Sequence, residues 1–136
     1  FITGCSMLIK RQLIETIGLM DPLYFLYDED VDFSWRAIKG GWELATYMDS
    51  VIYHKVSSST AKGPRYLQTY YISRNRPYFA AKYHTQFQRM AFNLFWISSR
   101  AAKFFIWMMK GRMDLIRATT KGYLDYRKGQ MGIICE

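Results

Sequence analysis

Cysteine is scarce. The chain of 136 residues carries two, Cys5 and Cys135, near opposite ends. No CxxC and no Cys/His ligand spacing occurs, which argues against a disulfide framework or a zinc ribbon and makes a reducing compartment the simpler setting. A Gly-rich phosphate loop, an internal repeat and a low-complexity segment are also missing, so a P-loop nucleotide binder and a repeat array are set aside. Acidic residues thin out along the chain. Residues 1–50 hold four Lys/Arg and eight Asp/Glu, a net −4, whereas residues 51–136 hold fifteen and three, a net +12. An acidic front and a basic rear imply two jobs, and the rear should attract an anionic partner such as a nucleotide diphosphate, an anionic lipid or a nucleic acid.

What is present is apolar and aromatic: 50% hydrophobic and 18% aromatic residues in 136, enough for one modest packed domain rather than a disordered chain. The opening FITGCSMLI, β-branched around Gly4, reads as a buried strand already in progress. The chain is therefore expected to be a fragment whose beginning is missing. KRQLIETIGLM places Leu13, Ile14 and Ile17 at helical spacing with Gly18 as its C-cap. Asp21-Pro22 marks a turn. YFLY reads as a short strand or loop. A helix follows from Asp28, with Val31, Trp35 and Ile38 as its apolar stripe and Gly40-Gly41 as its end. WELATYMDSVIYH reads as one or two strands, and SSSTAKGP as a polar loop. Three basic, aromatic helical stretches follow: RYLQTYYISRNRPYFAAKYH, with Pro77 as an interruption or second start, then FQRMAFNLFWISSRAAKFFIWMMKG, then GRMDLIRATTKGYLDYRKGQMG.

The densest chemistry is in YFLYDEDVDFSWR, residues 24–36, where Asp28, Glu29, Asp30 and Asp32 crowd together. A helix N-terminus stabilises such carboxylates by roughly 0.3–1 kcal/mol each. Asp28 suits an N-cap, and Asp32 and Arg36 stand at i, i+4 as a favourable surface pair. Four acids exceed what capping needs. The competing function is general-base chemistry, because neighbouring carboxylates raise one another's pKa while a helix start lowers it. One acid can then take a proton while others hold a hydroxyl.

These residues resemble the second half of family 2 glycosyltransferases of the GT-A fold, especially rhamnosyltransferase-like bacterial enzymes. TGCSMLIKRQLIETIGLMDPLYFLYDEDVDFSWRAIKGGWELATYMDSVIYHKVSSS matches in order the family's run from a Gly/small-residue segment through "EDvD…R…G" to a strand ending in His and Ser. YYISRNRPYFAAK and KGYLDYRKGQMG resemble its later segments. The resemblance implies an α/β fold in which residues 1–62 are the acceptor-side half of a catalytic domain, lacking the nucleotide-binding half, and 63–136 are a helical tail. It implies Asp30 as catalytic base and Glu29 as its tuning or orienting neighbour. Gly4, Cys5, Ser6 and Asp32 would line the acceptor side. His54 is a candidate metal ligand, with a hydrogen-bonded structural histidine as the alternative. Arg74 and Asn75 are candidate phosphate or lipid contacts, with a helix-surface contact as the alternative. The implied reaction is an inverting displacement from a nucleotide sugar to a hydroxyl of a glycan or lipid-linked acceptor. It would be assisted by Mg2+ or Mn2+, whose main ligands belong to the missing half.

Residues 90–109 approach the length of a membrane span. Arg100 and Lys103 near the middle disfavour one, since each costs roughly 2.5–3.5 kcal/mol at the bilayer centre. An interfacial amphipathic helix fits better, with Trp96, Trp107 and Phe side chains dipping in; a helix packed on the catalytic domain is the alternative. Together these imply a peripheral protein on the cytoplasmic face of a prokaryotic membrane, engaged in cell-surface polysaccharide synthesis. A non-catalytic basic and aromatic module for anionic membrane or nucleic acid is the rival class. No recognised nucleic-acid motif supports nucleic acid as a partner, and the acidic front would repel it.

Overall fold

A computed structural model describes residues 1–53 and 64–134. They form five helices: α1 Arg11–Ile17, α2 Glu29–Lys39, α3 Pro64–Tyr83, α4 Gln86–Met109 and α5 Met113–Arg127. The chain divides into two compact units, Phe1–Ala61 with Gly132–Glu136, and Lys62–Met131.

Among the described residues no strand forms. Of the stretches expected as strands, 1–9 and 42–54, residues 1–9 and 42–53 run as extended or turning backbone, and YFLY is a loop; residue 54 and residues 57–63 of the expected polar loop lie outside the described residues. The physical reason is that a strand exists only against a partner, and an isolated pairing is marginal in water. Propensity alone does not supply the second edge.

In the first unit, α1 ends as its sequence predicts. Gly18 adopts φ 77° and returns its N–H to the Ile14 carbonyl, a conformation that costs glycine nothing. Asp21 turns the chain by accepting the Leu23 N–H at 3.0 Å. Helix α2 closes at Gly40, also as expected. Its buried side, however, is not the Val31–Trp35–Ile38 stripe. Ile38 is exposed, and Phe33 and Ala37 pack instead on Leu13, ringed by Ile9, Ile17, Met20, Trp42 and Leu44. Polar anchoring sets this rotation: Asp32 and Ser34 flank the Phe33 and Ala37 side, and both are buried and hydrogen-bonded. The chain end returns to this unit where the Gly132 N–H meets the Leu23 carbonyl at 2.8 Å.

The second unit is helical throughout, as its sequence indicates. Pro77 does not interrupt α3, which runs on through it. Thr85 caps α4 by a capping box with Gln88, each side chain reaching the other's backbone N–H. This signature stands in the sequence as T-x-x-Q. Helices α3 and α5 lie in close contact because α5 carries Gly122 at the crossing. A Cβ there would stand 2.3 Å from the Tyr70 carbonyl oxygen. Above and below the crossing, Tyr70 donates to Asp125 at 2.7 Å, and Lys121 reaches the same carboxylate oxygen at 3.0 Å. Burial first, then the hydrogen bond to Asp125, pushes the Tyr70 phenol up to about 12. The hydroxyl therefore stays a donor at any ordinary pH.

Gly122→Ala forces the two helices apart and should cost about 2–3 kcal/mol of stability in chemical denaturation. A loss below about 0.5 kcal/mol, the range of an unremarkable surface change, would contradict the close crossing.

Candidate active site at the start of α2

The backbone entering α2 is unusual before any side chain is considered. Phe25, Tyr27 and Asp28 take φ of 60°, 65° and 68°. Left-handed backbone costs an L-residue roughly 1–2 kcal/mol, and bulky aromatics visit it rarely. Three such residues within four positions persist only where the surroundings over-determine them, and such clusters favour functional sites. Asp28 does occupy the N-cap position, but its left-handed backbone leaves it making no side-chain capping bond. It is therefore not the conventional cap its sequence position suggests.

The loop is held from beneath. Tyr24 is fully buried and its hydroxyl donates to Asp32 Oδ1 at 3.1 Å. Asp32 is fully buried as well, and its Oδ2 accepts from Arg36 Nε at 2.8 Å. The rest of the Arg36 guanidinium donates to the carbonyls of Ile17 and, at 2.8 Å, Leu19. These groups lie at and just past the end of α1, where helix carbonyls lack an internal partner. Asp32, expected on the acceptor side and in a surface pair with Arg36, is instead buried, with both oxygens occupied inside the protein. It fixes the loop and α2 to α1.

Above this anchor sit the two acids that matter most. Asp30 Oδ2 accepts the Gly4 N–H at 2.9 Å, and Oδ1 accepts the Val31 N–H at 2.8 Å. The carboxylate is oriented twice by backbone while remaining only partly buried. Glu29 Oε1 also faces Gly4, 3.9 Å from where a Cβ would stand. Its Oε2 is buried with no hydrogen-bond partner among the described residues. Burial therefore raises the Glu29 pKa, and the neighbouring Asp30 charge adds to the rise, against an opposing backbone hydrogen bond. Gly4, Cys5 and Ser6 are exposed beside this pair, and the Thr3 hydroxyl lies 3.2 Å from Cys5 Sγ. Of the residues expected at the site, Gly4, Glu29 and Asp30 are thereby brought together, and Cys5 and Ser6 follow Gly4 in the chain.

The others are placed differently. His54 lies outside the described residues. Arg74 and Asn75 belong to the second unit and are buried rather than on a helix surface. Arg74 Nε donates to Asn75 Oδ1 at 3.1 Å, and its guanidinium stacks 4.7 Å from the Tyr71 ring centroid. Among the described residues no group of three or more His, Cys, Asp or Glu gathers to hold a metal ion. Glu29 and Asp30 alone are two carboxylates and fall short of such a set. The residue that sequence reasoning underrated is Tyr24, whose buried hydroxyl has no signal beyond its place before the acids.

No family model and no solved structure matches the chain. Two proteins from Mycobacterium tuberculosis, from strains CDC 1551 and H37Rv, are similar to part of it. Each is named N-acetylglucosaminyl-diphospho-decaprenol L-rhamnosyltransferase, and each is 38% identical over 66 residues. That stretch covers 47% of this chain and 21% of the relatives' length. The chain thus shares partial, distant similarity with a glycosyltransferase.

Two outcomes follow from this geometry. Asp32→Ala strands the Arg36 charge and the Tyr24 hydroxyl, and should cost about 3 kcal/mol in denaturant unfolding; a change within about 0.5 kcal/mol would contradict the anchor. Glu29 binds its proton more tightly folded than unfolded, so its contribution is present at acid pH and lost as pH rises through its folded pKa. Glu29→Gln should therefore raise the melting temperature at neutral pH, and the gain should vanish below the ordinary glutamate range. A gain equal at both pH values would contradict a buried, proton-retaining Glu29.

Proposed function

We propose that this chain is the acceptor-side part of a glycosyltransferase that moves a sugar from a nucleotide diphosphate to a hydroxyl of a glycan or lipid-linked acceptor. The observation that carries the proposal is the Asp30 carboxylate, aimed by the Gly4 and Val31 N–H groups at the end of a strained loop. The partial GT-A fold, with its nucleotide-binding half upstream of this sequence, belongs to the same proposal. It is supported by the order of the matching motifs and by the similarity to the mycobacterial rhamnosyltransferase.

In the proposed reaction the acceptor hydroxyl approaches along the Gly4–Cys5–Ser6 segment. Its proton passes to Asp30. The freed oxygen pair forms a bond to the anomeric carbon as the bond from that carbon to the diphosphate oxygen breaks, and the electron pair leaves with the nucleotide diphosphate. Attack opposite the leaving group inverts the centre and needs no covalent intermediate. Fixing the base in advance is where the chain contributes: a positioned base is worth roughly 10²–10⁴-fold. Glu29, half-buried and holding its proton to higher pH, tunes Asp30 by its charge and can donate to the acceptor when protonated. A divalent metal, Mg2+ or Mn2+, is part of the proposal only as a group held elsewhere in the enzyme; no step above is routed through it. The relatives' names make an activated L-rhamnose and a lipid-linked N-acetylglucosaminyl diphosphate the first donor and acceptor to try.

The test is made in the full-length protein containing this sequence. Asp30→Asn keeps the shape and an acceptor for one of the two N–H groups but removes the base. Transfer should fall at least about a hundredfold with donor affinity unchanged, whereas Glu29→Gln should shift the pH profile of transfer more than its maximum. Wild-type transfer by Asp30→Asn would remove the base assignment.

A further inference from the structure

Helix α4 is built inside out for a helix in water. Its less exposed positions, 92, 96, 99, 100, 104 and 107, recur every three to four residues and form one narrow seam. Trp96, expected to dip into a bilayer, belongs to this seam. It is buried, stacked on Phe92 with centroids 5.7 Å apart, and capped by the Arg100 guanidinium at 4.3 Å. The opposite stripe, Met90, Leu94, Ile97, Ala101, Phe105 and Met108, repeats at i, i+4, i+7, i+11, i+15 and i+18, the spacing of one helix face. All six are exposed, Leu94 by 74% and Phe105 by 63%. Between Met90 and Met109 the only charges are Arg100 and Lys103, and both lie on the seam side. An apolar stripe that size facing solvent marks an interaction surface.

Charge identifies what covers it. Residues 62–131, which make up the second unit, hold fourteen Lys/Arg against two Asp/Glu, a net +12. Arg89 stands at one end of α4, and Lys110 and Arg112 at the other. In the middle, Arg100 has a buried Nε with no hydrogen-bond partner. Burial and the nearby Arg76 charge lower its pKa, and Lys103 is lowered by burial, then by Arg100 and Arg76. Arg100 and Lys103 face away from the stripe, so it is the net charge of the whole unit that suits this apolar face to a surface that is apolar below and anionic above. No helix among the described residues is long and apolar enough to cross a membrane, so α4 lies along the surface instead of spanning it. We propose that the Met90–Leu94–Ile97–Phe105–Met108 face of α4 docks in the plane of an anionic lipid bilayer, with the surrounding Lys and Arg side chains at the lipid phosphates. This stands whether or not the protein transfers a sugar.

Flotation of the protein with vesicles tests it. With phosphatidylcholine containing phosphatidylglycerol, the protein should float at low salt, less at high salt, and little with phosphatidylcholine alone. The double variant Leu94→Gln/Phe105→Gln changes two exposed side chains, so its circular dichroism and melting should match wild type while its partitioning falls at least about tenfold. Absence of flotation with anionic vesicles would overturn the proposal. Equal flotation of the double variant would show that another surface binds the lipid. Flotation absent together with a wild-type dimer that the double variant dissociates, read by light scattering, would show that a second copy covers the face.

Discussion

Everything at the candidate site depends on a buried ion pair. Asp32 and Arg36, one helical turn apart on α2, meet at 2.8 Å with the Asp32 side chain wholly out of water. Removing two charges from water costs several kcal/mol per ion unless the remaining hydrogen bonds are made. Here they are made: Tyr24 completes Asp32, and two carbonyls at the end of α1 complete Arg36. The pair therefore specifies geometry more than it adds stability. It sets which face of α2 turns inward, and so leaves Glu29 and Asp30, in the preceding turn, at the rim beside Gly4.

The same anchor accounts for the strained loop. With Tyr24 pinned below and α2 fixed to α1, residues 25–28 must reverse direction in little space. Phe25, Tyr27 and Asp28 adopt left-handed backbone to do so. Strain of this kind relaxes in a free peptide and is held only by the folded unit. The result is a carboxylate whose position is fixed before any acceptor arrives, which is what a general base needs if it is not to lose time and entropy in finding its proton. The two acids also differ. Asp30 is satisfied by backbone N–H groups, whereas Glu29 retains an unpartnered buried oxygen. Adjacent positions in sequence thus acquire separate chemistry from their surroundings.

Much of the helical organisation was legible in the sequence. The Leu13–Ile14–Ile17 spacing, the Gly18 stop, the Asp21-Pro22 turn, the Gly40-Gly41 end of α2 and the three rear helices all follow from local signals that act within a few residues. The grouping of Glu29 and Asp30 with Gly4–Ser6 was legible through motif order, not through periodicity. What was illegible depends on partners distant in sequence or on which local pair the packing buries. The extended segments lack a second strand among the described residues. The Val31–Trp35–Ile38 stripe looked apolar but lost to the buried Asp32–Arg36 pair, a preference that hydrophobic spacing does not register. Trp96 turned inward because Phe92 and Arg100 flank it one turn away on each side. Gly122 did leave a trace, a glycine inside a helical pattern, where the usual reason is close packing.

The central claim is that the Gly4 N–H holds the Asp30 carboxylate in place at the start of α2. The most direct measurement is hydrogen exchange of the Gly4 backbone amide in the folded chain, followed by ¹H–¹⁵N NMR and compared with Asp30→Ala. The account predicts that the Gly4 amide of the wild type is protected and that the variant, which has no side-chain oxygen to accept it, loses this protection. A Gly4 amide that exchanges as fast as in a free peptide in the wild type, or equally slowly in both proteins, would contradict it.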